Sequence, residues 1–197
     1  SMDIPEQPIE YVILCPEDFK EEAAPLAIHR TRMGLYTAIF TLEDIELRSL
    51  GRDKEEKVHY FLRELRKDES KLRWLLILGD SEFLMPRELY HYARSRGQPF
   101  GDQYFSDVYY AGLDSNWDND MDQIYGEVYY NGTVEADTDW DLLVGRIPAS
   151  NETHASNYIN KLLRYEKNPP VGTWMSRFNN WGSLMEPPNV VTGPNSY

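Results

Sequence analysis

Among 197 residues there is a single cysteine, Cys15. No disulfide can close within the chain, and no zinc cluster can be built on its thiolates. No apolar run approaches the ~20 residues that a bilayer-crossing helix requires, so no membrane span is expected. There is no Gly-rich phosphate loop and no Ser nucleophile elbow, which removes P-loop, kinase and α/β-hydrolase chemistry. No signal peptide is visible, but Ser1-Met2 reads as the remnant of a cleaved tag, so a leader upstream is not excluded. Low-complexity tracts and internal repeats are also missing. With 41% hydrophobic and 13% aromatic residues, the chain has the composition of a globular domain rather than a disordered tail.

The most local shortage is of positive charge. Between Gly97 and Gly145 there is no Lys, Arg or His. The same stretch holds eleven acids: Asp102, Asp107, Asp114, Asp118, Asp120, Asp122, Glu127, Glu135, Asp137, Asp139 and Asp141. Lys plus Arg number 20 and Asp plus Glu 33, for a net −13, so nearly all of the excess sits in this segment. Such a surface repels phosphate backbones, and no nucleic-acid partner is expected. Acids this dense need either full solvation or a bound cation.

The remainder alternates between short apolar runs and amphipathic stretches. Tyr11-Val12-Ile13-Leu14-Cys15, ended by Pro16, predicts a buried strand. A helix should follow, with Pro25 in its first turn and Gly34 as its stop. Leu35–Thr41 predicts a second strand and Leu42–Leu50 a short helix. Residues 53–67 predict an amphipathic helix: Val58, Phe61, Leu62 and Leu65 fall at i, i+3, i+4 and i+7, and Asp53 precedes Glu56 as in a capping box. Leu72–Leu78 predicts a third strand, closed by Gly79-Asp80. Residues 84–96 read as either helix or loop. Trp140–Val144 predicts a fourth strand. Ser150 is expected to cap a further helix, with Ala155, Tyr158, Ile159, Leu162 and Leu163 on one face and Asn168-Pro169-Pro170 as its end. Residues 171–188 receive no assignment, and Val190-Val191-Thr192 reads as another strand. The fold class expected is α/β: three layers, a mostly parallel sheet of about four strands, helices on both faces.

The segment Asp114-Ser-Asn116-Trp-Asp118-Asn119-Asp120-Met-Asp122 places oxygen-bearing side chains at every second position. In a tight loop that spacing turns alternate side chains toward one point, the manner in which calcium collects six to eight oxygens. Positions 1, 3, 5, 7 and 9 of an EF-hand loop are matched. Position 6 carries Asn119 in place of the left-handed glycine. Position 12 carries Tyr125 in place of glutamate, with Glu127 two residues later. The expected metal ligands are Asp114, Asn116, Asp118, Asp120, Asp122 and Glu127, with Ca2+ as the ion; the alternative is a solvated acidic loop. Gly79-Asp80 lies where open α/β sheets hold ligands, so Asp80 either binds a ligand or caps the next turn. Asp107 is a further ligand-binding candidate. Cys15 ends a buried strand beside Glu17 and Asp18, surroundings that suit an inert core thiol. His29, His59, His91 and His154 show no metal-ligand spacing and read as surface histidines of helices.

The order and wording of several blocks resemble the gingipain-type cysteine peptidases. They are Tyr11-Val-Ile-Leu-Cys-Pro16; Leu26-Ala-Ile-His-Arg30 with Met33-Gly34; Trp74-Leu-Leu-Ile-Leu-Gly-Asp80; Ser106-Asp107-Val-Tyr-Tyr110; Trp117-Asp118 through Tyr125-Gly126-Glu127; Asp141-Leu-Leu-Val-Gly-Arg-Ile-Pro148; and Lys161-Leu-Leu-Arg-Tyr-Glu166. The resemblance implies a caspase-like peptidase unit made of two α/β subdomains. The family's catalytic His and Cys lie in the second, in a Gly-His-Gly block and a Cys-containing block. Neither block is present here, so no catalytic residue is carried over.

The resemblance further implies that residues 11–188 are the amino-terminal, non-catalytic subdomain, after a tag and extension at 1–10, and that 189–197 open a truncated second subdomain. The expected partners are the catalytic subdomain of the same parent chain and, through the parent, a polypeptide substrate. An extracellular or cell-surface location and calcium support are implied as well. Two readings from other classes stand beside this one. The first is a non-enzymatic, calcium-dependent binding or adhesion module. The second is a small-molecule enzyme using Asp80.

Overall fold

The computed structural model describes residues 8–69, 71–95, 98–127, 134–137 and 139–182, with the backbone alone for 91–95 and 98–102. Strand β1 (Tyr11–Cys15) leads through a 3-10 turn at Glu17–Phe19 into helix α1 (Lys20–Arg32). Because the helix starts at Lys20, Pro25 falls in its second turn and not its first; its side is exposed, where a missing N–H bond costs least. Gly34 ends the helix at φ +96°. Its N–H bonds Thr31 O and that of Leu35 bonds Arg30 O, the paired reach-back of a Schellman stop.

Strand β2 (Thr37–Thr41) follows, then α2 (Leu42–Arg48), capped by the Thr41 hydroxyl, and α3 (Lys54–Asp68), capped by the Asp53 carboxylate. Strand β3 (Trp74–Leu78) comes next. The ambiguous residues 84–96 are neither helix nor loop throughout. Strands β4 (Arg87–Ser95) and β5 (Gln98–Ser106) form an antiparallel hairpin outside the main sheet. Alternation in Glu88-Leu89-Tyr90 matches a strand, and Leu89 is buried. Strand β6 (Leu143–Ile147) begins three residues later than the apolar run suggested, and α4 (Glu152–Lys167) is capped by Asn151, not Ser150. The strand expected at 190–192 lies outside the described residues.

The sheet is fully parallel in the order β2-β1-β3-β6, with Ile13 opposite Ile39 and Leu76, and Leu76 opposite Gly145. The strand pleat sends alternate residues to opposite faces. Ile13, Cys15, Leu76 and Leu78 pack with Ala23 and Leu26 of α1 and Ala155 and Ile159 of α4. Val12, Leu14, Leu75 and Ile77 pack with α2, α3 and the start of the acidic segment. The expected three-layer α/β architecture is therefore present.

The order reverses between β1 and β3, the switch point at which such sheets leave a crevice. Here the crevice is filled: Phe19 and Phe83 meet edge to face with centroids 5.0 Å apart. Gly79 turns there at φ +151°, with Phe83 3.4 Å from the place a Cβ would occupy.

Candidate metal centre

The acidic segment is anchored before it becomes acidic. Ser106 caps a 3-10 turn, Asp107–Tyr110, whose Tyr109 and Tyr110 are buried. The Gly112 carbonyl then accepts two hydrogen bonds, from His59 Nε2 and from Trp117 Nε1, each at 3.0 Å. His59 is thus a core residue of α3, tilted against Tyr109 at 4.6 Å, and not the surface histidine expected. Burial holds its pKa down to about 4; the Gly112 bond opposes this, and Arg63 and Arg87 add to it. Of the other histidines, His29 joins Glu166 across α1 and α4, His154 meets Ser150 Oγ at 2.9 Å, and His91 lies on β4.

Trp117 is buried, and its carbonyl accepts the Gly126 N–H at 2.6 Å, closing residues 117–126 into a loop. The backbone turns left-handed at Trp117 (φ 58°), Met121 (63°) and Gln123 (72°). Asn119 is not among these, so the loop does not follow an EF-hand path. The left-handed positions fall between the oxygen-bearing ones and bring Asp118, Asp120 and Asp122 together: one carboxylate oxygen of each lies within 4.8 Å of the others. Three carboxylates at that spacing are close enough to hold one metal ion.

Asp118 is the inner member and fully buried, whereas Asp120 and Asp122 are exposed. Its Oδ2 accepts from Arg52 Nη1 at 2.5 Å and from Gln123 N at 3.3 Å. Its Oδ1 is buried without a hydrogen-bond partner. A buried carboxylate oxygen left unmatched is costly, and a cation would relieve it, so the residues present fit an ion. Glu127 stands nearby. Burial pushes its carboxyl up, helped by the charges of Asp122, Glu135, Asp120 and Asp118. Glu135 is itself buried and accepts the Asn119 N–H at 2.8 Å.

The remaining candidates are placed differently. Asn116 uses its Oδ1 to accept from Tyr60 and its Nδ2 to bond the Asp118 carbonyl. Asp114 is exposed beside Asp141 and the bases Arg63, Arg66 and Lys67, on the flank of α3. Asp80 Oδ1 caps the following turn by accepting from Glu82 N at 3.0 Å. Both oxygens of Asp107 are taken by Arg146. Several acids serve the backbone: Asp137 accepts from Asp114 N and Ser115 N, and Asp141 from Leu113 N.

Arg52 was not legible as part of this centre. It lies 66 residues from Asp118, brought there by the entry into α3. Glu56, buried beside it, also goes unsignalled beyond its capping role. Burial alone would raise the Glu56 carboxyl, but the hydrogen bonds and charge of Arg52 bring it below its ordinary value. Glu135 was visible only as one acid among eleven.

The model of peptidase family C25 matches residues 4–183. Among solved structures the chain is similar to dimeric latent PorU from Porphyromonas gingivalis, at 17% identity and a TM-score of 0.54, over 88% of this chain and 17% of that one. It is similar to the complex of the pro- and mature domains of RgpB from the same organism, at 17% identity and 0.54, over 81% and 29%. It is similar also to the Arg-specific cysteine proteinase gingipain R, at 17% identity and 0.51, over 84% and 30%. No curated protein matches the chain. At these identities the likeness establishes the fold, which is caspase-like. The chain spans less than a third of the length of each of these relatives. No described helix is long and apolar enough to cross a membrane.

Proposed function

The chain belongs to peptidase family C25, and on that premise we propose that it is the amino-terminal, non-catalytic subdomain of a gingipain-like cysteine endopeptidase. The observation that carries this reading is the state of Cys15. A nucleophilic cysteine needs an accessible thiolate beside a base, commonly histidine. Cys15 is the chain's one cysteine, is buried at the end of β1, and has its thiol pushed up to about 12. Burial is the main cause, followed by Glu43 and Glu17, and among the described residues no histidine is one of the main charges acting on it. A thiolate–imidazole pair cannot be assembled there.

The working pair then belongs to a second subdomain of the same parent chain, for which residues 11–188 supply a scaffold and a docking face. The parent's substrate is a polypeptide, and its place of work is outside the cell or on its surface. The calcium reading rests on the unpartnered Oδ1 of Asp118 beside Asp120, Asp122 and Glu127. All four donors are hard oxygens, which suit Ca2+ better than a softer ion. The ion's contribution would be to order the segment from Ser106 to Glu127 rather than to take part in chemistry.

The test is to offer the purified chain a mixed peptide library with and without calcium. No hydrolysis is expected under either condition. Peptide cleavage lost in a Cys15→Ala variant would overturn the assignment.

A further inference from the structure

Arg52 occupies a singular position in the acidic centre. Its Nε lies 3.0 and 3.1 Å from the two oxygens of Glu56, its Nη2 2.7 Å from Glu56 Oε1, and its Nη1 2.5 Å from Asp118 Oδ2. Its own backbone N–H is held by Glu56 Oε2. The guanidinium also faces the Tyr125 ring at 5.5 Å. Arg52 stands two residues before α3, and its contacts reach from Glu56 in the helix's first turn to Asp118 and Tyr125 of the loop. Arg52 therefore serves two buried carboxylates at once, and on Asp118 it occupies one oxygen while the other stays buried and unmatched.

Resting on the cation reading above, we infer that Asp118 is shared between Arg52 on Oδ2 and the divalent ion on Oδ1. Arg52 is then the built-in counter-charge that keeps the loop assembled without the ion and weakens the ion's hold when it binds. Two consequences follow from the geometry. With Oδ2 engaged, Asp118 can meet the ion through Oδ1 alone, so a two-oxygen grip of the kind calcium accepts is denied to it. A positive charge on the far side of the same carboxylate also repels the ion. Arg52 is thus a positioning residue: it aims Asp118, and it sets how strongly the site binds.

The experiment compares the unaltered chain with Arg52→Met by calorimetric calcium titration and by thermal melting in EDTA and in calcium. Arg52→Met is expected to melt several degrees lower in EDTA, since two buried carboxylates, Glu56 and Asp118, lose their shared partner. Calcium should then bind it about tenfold more tightly, the effect of removing one unit charge near a divalent ion at water-like dielectric. The calcium-induced rise in melting temperature should be correspondingly larger than in the unaltered chain. A purely structural arginine would give the reverse, because a damaged loop binds less well.

If the unaltered chain gives neither heat nor thermal shift with calcium, the cation reading itself fails. If it binds but Arg52→Met binds equally or more weakly, the role given to Arg52 is overturned while the site stands. Should Arg52→Met not fold, Arg52→Gln carries the test. An amide keeps a hydrogen-bond donor beside the carboxylates but carries no charge, so a calcium-induced shift larger than the unaltered chain's is expected, and an equal or smaller one overturns the inference.

Discussion

Arg146 closes on Asp107 through two hydrogen bonds, Nε to Oδ2 at 2.8 Å and Nη2 to Oδ1 at 2.6 Å, joining residues 39 apart in the chain. Its remaining arm, Nη1, bonds the Leu84 carbonyl at 2.9 Å and the Gly79 carbonyl at 3.1 Å. One guanidinium on β6 thus ties the turn after β5 to the turn after β3. Asp107, a ligand candidate from its place in the chain, is a structural acid in this arrangement.

Replacing Arg146 with Met should therefore destabilise the protein without touching the acidic loop. The pair is partly exposed, and the loss should be about 2 kcal/mol, within the range for hydrogen bonds to charged groups. Urea unfolding followed by fluorescence would show a lower midpoint. A midpoint within experimental error of the unaltered chain's would mean that the fork carries no weight in solution.

The two ends of the acidic run should respond differently to calcium. Asp118→Asn removes the buried oxygen charge at the centre and should weaken calcium binding at least tenfold, as expected when a site loses part of its ligand charge. Asp114→Asn alters an exposed residue on the flank of α3 and should leave the affinity within about twofold, the change expected of a surface charge screened by solvent. Isothermal titration of both variants reads this directly. Equal losses in the two would restore the evenly spaced loop that the sequence suggested.

His59 should make stability depend on pH. Folding holds it neutral, with a pKa of about 4 against an ordinary 6.5. The unfolded chain takes up a proton below about 6.5 that the folded one refuses until about 4, so this contribution is complete above that window and shrinks as pH falls through it. The loss amounts to about 3 kcal/mol by pH 4. The charged groups acting on the ring are Arg63, Arg87 and Glu56. His59→Phe keeps the ring against Tyr109, and Trp117 still satisfies the Gly112 carbonyl. Its urea midpoint should fall less than that of the unaltered chain between pH 7 and pH 4.5. Parallel lines for the two proteins would refute the assignment.

Cys15 should resist thiol reagents in the folded state and react in denaturant. Its side chain is fully buried among Phe19, Ala23 and Leu78, and burial keeps the thiol protonated at neutral pH. A chromogenic disulfide reagent gives the measurement: release of colour at the rate of an exposed thiol, in buffer alone, would contradict the buried placement.

Much of the scaffold was legible because its signals are local. The strand at Tyr11–Cys15, the capped helix opening at Asp53 and the stop at Gly34 each rest on neighbours within a turn or a pleat. The hairpin from Arg87 to Ser106 is poorly legible because, beyond Glu88-Leu89-Tyr90, polar residues stand at both alternating sets of positions, and its strands pair with each other rather than with the main sheet. Ser150 and Asn151 are both good caps; in the fold Asn151 Oδ1 accepts the His154 N–H, while Ser150 Oγ meets the His154 ring.

Composition and order by themselves determined that this is an α/β chain with a parallel sheet, that it holds no second cysteine, and that its negative charge is gathered in one segment. They could not say which acids would converge. Asp118, Asp120 and Asp122 meet because Trp117 is buried and the backbone turns left-handed around them. The positive charge missing from residues 98–144 arrives from Arg52, far away along the chain. Local spacing is written in the sequence, but the partner of a buried charge is chosen by whatever packing brings within a few ångströms of it, and that is a property of the folded molecule alone.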